Sequence, residues 1–288
     1  MEITRNVILL FLSNIFLSQV PVESNLIQNK LENILNNNVT TRFTRIVGGS
    51  NAAVAQFPHA AALFLFLKTG ESFCGGSIIH DQYILTAAHC LDDILRIEVQ
   101  AGTLNIFQGV PRYRETVQPS HTRQHHQYDS DTLRNDIGLI YLMRPIPFSP
   151  AIRPIALPSR VTATSTFQGM LTTVIGWGRF EDAAKQSLSD TLQFVRLPIV
   201  QDRQCTTVYN QFYNFFDTRT NICASGSHAR STCNGDSGGS MTIDTNGRPT
   251  LIGIVSFGSS TCEGGLPVAM TRVTAYLDWI AANSLVRC

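Results

Sequence analysis

The stretch "LRIEVQA", residues 95–101, alternates apolar and polar side chains at every step. Successive side chains of a strand point to opposite faces, so this alternation predicts a half-buried β-strand. Further short apolar runs, bounded by turn residues, also resemble strands. They are "IGLIYL" (137–142), "LTTVIGWG" (171–178), "FVRLPIV" (194–200) and "LIGIVSFG" (251–258). Many short strands predict an all-β sandwich or barrel.

Helical periodicity is clearest at the end of the chain. Val273, Tyr276, Leu277 and Ile280 follow the spacing i, i+3, i+4 and i+7, which predicts an amphipathic helix with Thr274 near its start. The proline-rich stretch "RPIPFSPAIRPIALPSR" (144–160) is the best candidate linker. It predicts a boundary between two β units.

The N-terminus predicts a secreted precursor. Arg5 precedes the uncharged apolar run "VILLFLSNIFL" (7–17), which is too short to span a bilayer and is typical of a signal peptide. We assign residues 1–24 to the signal peptide and the polar, Asn-rich residues 25–45 to a propeptide. Secretion places the cysteines in an oxidising environment, where they are expected to pair.

Composition excludes several classes of partner. The chain has 288 residues, of which 43% are hydrophobic and 15% charged, so it is globular rather than disordered. Its net charge of +1 gives no reason to expect binding to nucleic acid or to an anionic membrane. The sequence also lacks the glycine-rich motifs that cradle phosphates.

Three separate segments supply the groups needed for nucleophilic hydroxyl chemistry. "LTAAHC" (85–90) contains His89, "RNDIGLI" (134–140) contains Asp136, and "GDSGGS" (235–240) contains Ser237. A serine nucleophile needs a base within hydrogen-bond reach, and that base needs an orienting acid.

Together with "RIVGG" (45–49) and "CGGS" (74–77), these motifs resemble the trypsin/chymotrypsin family of serine proteases, most of all its arthropod chymotrypsin-like members. The resemblance runs from Arg45 to about Ile280. It implies an all-β fold of two six-stranded antiparallel β-barrels with the active site between them. The implied protease domain is 46–288, with barrels at about 46–150 and 160–272 and a C-terminal helix at about 274–284.

The resemblance also implies the role of each group. Ser237 attacks the peptide carbonyl, His89 accepts and returns the proton, and Asp136 orients the imidazole. The backbone N–H groups of Gly235 and Ser237 form the oxyanion hole. Ser256 matches the family position that hydrogen-bonds the triad acid and offers backbone to the substrate.

The family pattern further implies a zymogen. Cleavage between Arg45 and Ile46 frees an α-ammonium group that inserts beside Asp236. Cys288 has no family partner. The implied disulfides are Cys74–Cys90, Cys205–Cys223 and Cys233–Cys262.

The resemblance implies a specificity pocket without a carboxylate. Its floor matches Ser231 and its walls match Gly258 and Val268, beside Ser256. Without a negative charge, a buried Lys or Arg of the substrate stays uncompensated, so we expect preference for large apolar or aromatic side chains. Val268 leaves open an elastase-like preference for smaller ones.

A rival class is a non-catalytic protease homologue that binds a partner, but His89, Asp136 and Ser237 are all present. The cluster His121, His125 and His126 permits a metal site, although its polar surroundings favour a solvated loop, and we expect no metal or other cofactor. Expected partners are protein or peptide substrates, a trypsin-like activating protease and protein protease inhibitors. We expect a monomer.

Overall fold

A computed structural model describes residues 49–108, 110–178, 188–211, 216–226, 231–259, 262 and 264–287. The predicted signal peptide, propeptide, activation residues Arg45 and Ile46, and Cys288 lie outside the described residues.

The described chain is built mainly from short antiparallel strands. In chain order they are β1 Ser50–Asn51, β2 Ala60–Leu67, β3 Gly70–His80, β4 Tyr83–Thr86, β5 Ile94–Ala101, β6 Tyr113–Val117, β7 Thr122–Gln124, β8 Gly138–Tyr141, β9 Leu171–Gly176, β10 Gln193–Pro198, β11 Asn221–Ala224, β12 Ser240–Thr245, β13 Arg248–Phe257 and β14 Val268–Arg272.

These strands form two sheets, in the orders β6-β5-β2-β3-β4-β8-β7 and β1-β10-β9-β12-β13-β14-β11. The all-β prediction is therefore confirmed, and the proline-rich stretch lies between β8 and β9. Each sheet has seven strands where six were expected. The extra pairing in the second sheet comes from β1, a two-residue strand that pairs with β10 and is too short to leave a periodic pattern.

Helices are few among the described residues. α1 (Asp202–Tyr209) precedes β11, and α2 (Leu277–Asn283) ends the chain after the 3-10 helix Val273–Tyr276. The predicted terminal helix is present, but its first turn, Val273–Tyr276, is a 3-10 helix and the α-helix begins at Leu277. The four periodic apolar residues, two in each segment, are all buried. α1 was not predicted, since Cys205 is its one fully buried residue. Neither helix, nor any other helix of the described chain, is long and apolar enough to cross a membrane.

Each sheet encloses its own apolar core, and a third cluster joins them. Leu63 and Ile97 belong to the first core, onto which Leu277 and Ile280 pack. The cluster between the sheets contains Phe73 of β3 and Trp177 after β9, with ring centroids 6.1 Å apart. This junction fixes the two sheets against each other. It thereby fixes the residues that they contribute to a common site.

Candidate active site

His89 lies in a tight turn that follows β4. The 3-10 helix Ala88–Leu91 carries it, and the small residues Ala87 and Ala88 are fully buried. Two hydrogen bonds join His89 to Asp136: the backbone N–H donates to Oδ1 (2.9 Å), and the ring Nδ1 lies 2.8 Å from Oδ2. Because both oxygens are used, the carboxylate fixes the orientation of the imidazole and leaves Nε2 for proton transfer.

Asp136 is held at the start of β8 by groups from the second sheet. Ser256 of β13 donates its hydroxyl to Oδ2 (2.6 Å), and Thr271 of β14 donates to the backbone carbonyl of Asp136 (2.7 Å). The preceding residue, Asn135, has φ of 55°, a left-handed conformation that Asn tolerates. The expected contact between Ser256 and the acid is present.

Asp136 and His89 each stabilise the charged form of the other. Burial raises the pKa of Asp136, but the charge and hydrogen bond of His89 and the hydroxyl of Ser256 bring it below its ordinary value. Burial lowers the pKa of His89, but the charge of Asp136, its hydrogen bond and the charge of Asp92 raise it above its ordinary value. The arrangement therefore stabilises an imidazolium beside a carboxylate.

Ser237 lies in a glycine-rich turn that is attached to both sheets. Its carbonyl oxygen accepts a hydrogen bond from the N–H of Gly75 in β3 (2.7 Å), and the N–H of Gly238 donates to Val255 in β13 (2.8 Å). Gly75 follows Cys74, whose disulfide partner Cys90 follows His89. Among the described residues no hydrogen bond joins Ser237 Oγ to His89, and free enzymes often close this contact only when substrate binds.

The backbone before Ser237 fits an oxyanion hole. Gly235 has φ of 96°, a backbone conformation that favours glycine, and a Cβ there would lie 3.0 Å from the Cα of Gly178. The N–H groups of Asp236, Gly238 and Gly239 are engaged by carbonyl groups. Within the described chain, those of Gly235 and Ser237 have no such acceptor. Two N–H donors, one on each side of Asp236 in the sequence, are thus available for a negatively charged oxygen.

Asp236 is fully buried directly beside the serine. Its carboxylate accepts hydrogen bonds from the N–H groups of Gly178 and Cys233, both at 2.8 Å. Burial raises its pKa to about 6 despite these bonds. Gly176 and Gly178 leave the space that the carboxylate fills, because a Cβ would lie 2.0 and 2.5 Å from its atoms. These two glycines were not among the predicted site residues, and their signal in the sequence is the spacing in "IGWG".

Three of the predicted pocket residues are buried, and the fourth, Gly258, lies beside Val268. Ser231 and Ser256 are buried, and the hydroxyl of Ser231 donates to its neighbour's carbonyl (3.0 Å). Val268 begins β14 and is buried, and a Cβ built on Gly258 would lie 3.6 Å from its Cγ1. Gly258 and Val268 therefore face each other, and the valine methyl occupies space in front of the glycine.

Comparison with known proteins agrees with this geometry. The trypsin family matches residues 46–280. The chain belongs to the trypsin family. A brachyurin from Leptuca pugilator is 39% identical over 240 residues, and the alignment covers 83% of this chain and 98% of the brachyurin. A collagenase from Hypoderma lineatum and a chymotrypsin from Phaedon cochleariae are each 34% identical, cover 83% of this chain, and are themselves covered over 87% and 82%.

The fold agrees as well. A solved HL collagenase structure superimposes with a TM-score of 0.75 and 31% identity, covering 84% of this chain and all of its own. The two-sheet architecture with a terminal helix is thus that of the chymotrypsin-like fold. The chain is a serine endopeptidase of this family, and its substrates are proteins.

Three disulfides support this trypsin-family domain. They join Cys74 to Cys90, Cys205 to Cys223 and Cys233 to Cys262, as the family resemblance implies. The first lies beside the imidazole, with both sulfurs within 4.8 Å of a His89 ring nitrogen. These three side chains form the one cluster of potential metal ligands among the described residues. Its sulfurs are bonded to each other and so are not thiolate ligands.

The histidine cluster has other partners in this trypsin-family chain. His125 is buried, stacks on His126 at 4.5 Å and contacts the rings of Tyr276 and Trp279. His121 contacts the ring of Tyr141. His125 is thus a packed side chain rather than part of the solvated loop that the sequence favoured, because the C-terminal helix covers it.

Proposed function

We propose that this protein is a secreted serine endopeptidase that hydrolyses peptide bonds through an acyl-enzyme. Ser237 Oγ bonds to the substrate carbonyl carbon while its proton passes to His89 Nε2. The proton then goes to the leaving amine as the C–N bond breaks. Water then bonds to the acyl carbon while its proton passes to the same imidazole, and that proton returns to Ser237 Oγ as the bond between Oγ and the acyl carbon breaks. The two hydrogen bonds between His89 and Asp136 are the observation that carries this proposal.

The oxyanion is stabilised by the N–H groups of Gly235 and Ser237 in this account. Preorganised donors stabilise the charge that develops in the transition state without reorganising at that moment. The three intact catalytic groups favour an active enzyme over a non-catalytic binding homologue. Secretion follows from the signal peptide assigned to residues 1–24.

Preference for large apolar or aromatic residues before the scissile bond is the main proposal for specificity. Ser231 offers a hydroxyl and no charge, so a guanidinium or ammonium in the pocket would lose hydration without gaining a counter-ion. Gly258 leaves the entrance unobstructed by a side chain.

A second candidate is preference for smaller apolar residues. It is favoured by Val268, whose methyl group faces Gly258 and reduces the space between them. A shortened pocket disfavours Phe and Tyr because overpacking costs about 1–3 kcal/mol.

Profiling against a peptide library separates the two candidates. The active enzyme and the variant Val268→Gly are compared on substrates that differ in the residue before the scissile bond. We expect the wild type to cleave after Phe, Tyr, Leu or Met, and the variant to shift toward Phe and Tyr. If the wild type prefers Ala or Val and the Val268→Gly variant does not, the second candidate is favoured. Preference for Arg or Lys would contradict both.

Activation by cleavage after Arg45 is part of the same proposal. In the absence of a cationic partner, burial places the pKa of Asp236 at about 6, and an ammonium at Ile46 would favour the ionised form. The uncharged pocket at Ser231 does not suit arginine, so a separate trypsin-like protease is the proposed activator. Protein protease inhibitors are further proposed partners, and the enzyme is proposed to act as a monomer.

A further inference from the structure

A second carboxylate lies at the end of the turn that carries His89. Asp92 directly follows the 3-10 helix Ala88–Leu91, and its backbone N–H donates to the carbonyl oxygen of His89 (3.4 Å). Its side chain is half-buried. The position of Asp92 is therefore tied to the backbone of the histidine.

Both oxygens of this carboxylate accept hydrogen bonds from residues outside the turn. Gln124 Nε2, at the end of β7, donates to Asp92 Oδ1 (2.6 Å) and also lies 3.0 Å from the carbonyl oxygen of Ala88. The hydroxyl of Tyr128 donates to Asp92 Oδ2 (2.9 Å). Burial raises the pKa of Asp92 above its ordinary value, although these two donors and the charge of His89 oppose that effect. Hydrogen bonds donated to both oxygens favour the ionised form of the carboxyl group.

The ionisable groups around His89 come from three elements. Asp136 at the start of β8 contacts the imidazole directly, while Asp92 acts on it through space and follows Asp136 among the groups that raise its pKa. Ser256 of β13 is neutral and hydrogen-bonds Asp136. Tyr128 is a neutral donor, because burial and the charges of Asp136 and Asp92 raise its pKa. Asp92 is thus the second negative charge acting on the base.

We propose that Asp92 is a positioning residue for the catalytic histidine. Held by Gln124 and Tyr128, its carboxylate fixes the turn that carries His89. Its charge stabilises the imidazolium that forms when Ser237 loses its proton. This inference rests on the proposed role of His89 as general base.

The test compares Asp92→Asn with Asp93→Asn at high salt, which screens exposed charges. Asp93 is exposed and has φ of 49°, which Asn adopts readily, so its variant removes the same charge without touching the cluster. We expect Asp92→Asn to move the acid limb of kcat/KM to lower pH by about half a unit. At a pH below that limb, the Asp92→Asn variant then retains a roughly threefold larger fraction of its own plateau kcat/KM than the wild type does. Asp93→Asn leaves the limb in place.

An NMR titration of the His89 imidazole in the same variants gives a readout that does not depend on turnover. We expect the same downward shift of its pKa in Asp92→Asn, and a smaller one in Gln124→Met, which keeps both charges but releases the carboxylate. The proposal would be overturned if the His89 imidazole had the same pKa in Asp92→Asn and in Asp93→Asn. If Asp92→Asn does not fold, an unchanged titration in Gln124→Met overturns it. A wild-type acid limb that does not match the His89 titration would instead contradict the general-base role.

Discussion

Ser240 Oγ lies 2.9 Å from His59 Nε2, and both residues are buried. His59 immediately precedes β2 of the first sheet, and Ser240 begins β12 of the second, three residues after Ser237. No local pattern in the sequence predicts a role for either residue. The contact joins the two sheets behind the turn that carries Ser237.

This contact predicts a loss of stability in acid. Burial lowers the pKa of His59 from 6.5 to about 4. A folded-state pKa below the unfolded one adds stability at neutral pH that is lost as pH falls from about 6.5 through about 4. The full loss is on the order of 3 kcal/mol. Urea unfolding of wild type and His59→Gln between pH 7 and 4 measures it, and we expect a shallower decline in the variant. Equal declines would contradict the account.

The glycines around Asp236 predict a sharp difference between alanine substitutions. Gly178→Ala places a Cβ 2.5 Å from the buried carboxylate, whereas a Cβ at Gly258 meets only ordinary contact at 3.6 Å. We expect Gly178→Ala to lower the free energy of unfolding by roughly 2 kcal/mol or more and to reduce activity, because overpacking displaces the carboxylate. Gly258→Ala is the control and keeps its stability. Similar unfolding free energies in both variants would show that the carboxylate is not confined as described.

Two disulfides of similar loop length predict similar effects on stability but different effects on catalysis. Cys74–Cys90 spans 16 residues and Cys205–Cys223 spans 18, so removing either by double alanine substitution costs about 3 kcal/mol. Only the first lies beside His89. We expect kcat to fall several-fold on its removal and to change little for the second pair, both measured well below the unfolding temperature. Equal kcat values in the two double alanine variants would contradict a role of the first disulfide in positioning His89.

Much of the fold and the proposed site follow from short-range patterns. Alternation in 95–101 gives β5, the spacing from Val273 to Ile280 gives the terminal helix, and the motifs around His89 and Asp136 give the pair that the structure brings together. The strand and the helix are local features, so a single stretch of sequence encodes each of them. The pairing of His89 with Asp136, 47 residues apart, was instead implied by the resemblance to a known family.

The features that were missed depend on pairs distant in sequence. His59 and Ser240 are 181 residues apart, and the glycines of "IGWG" matter because Asp236 fills the space beside them. The strand β1 is two residues long and exists through its pairing with β10. α1 has little apolar periodicity and is held by a disulfide to β11 and by an ion pair between Asp202 and Arg272. Tertiary contacts decide all of these, and local propensity does not reveal them.

The proposed activation predicts that the proenzyme does not cleave itself efficiently. A guanidinium in a pocket floored by Ser231 stays unpaired, which costs several kcal/mol and slows cleavage by orders of magnitude. Purified proenzyme is incubated alone, with a trace of its active form, or with a trace of trypsin, and the new N-terminus is sequenced over time. Trypsin should expose Ile46-Val47-Gly48-Gly49 quickly. Rapid exposure in the self-seeded sample would contradict both the activation scheme and the pocket assignment.

The central claim is that Ser237 is the nucleophile, activated by His89 and Asp136. The most direct test is the kcat/KM of the trypsin-activated wild type and of Ser237→Ala on a peptide amide substrate. Circular dichroism and N-terminal sequencing establish that both are folded and cleaved after Arg45. The account predicts that Ser237→Ala loses at least about 10⁴-fold in kcat/KM. A folded, cleaved Ser237→Ala within tenfold of wild type would contradict it.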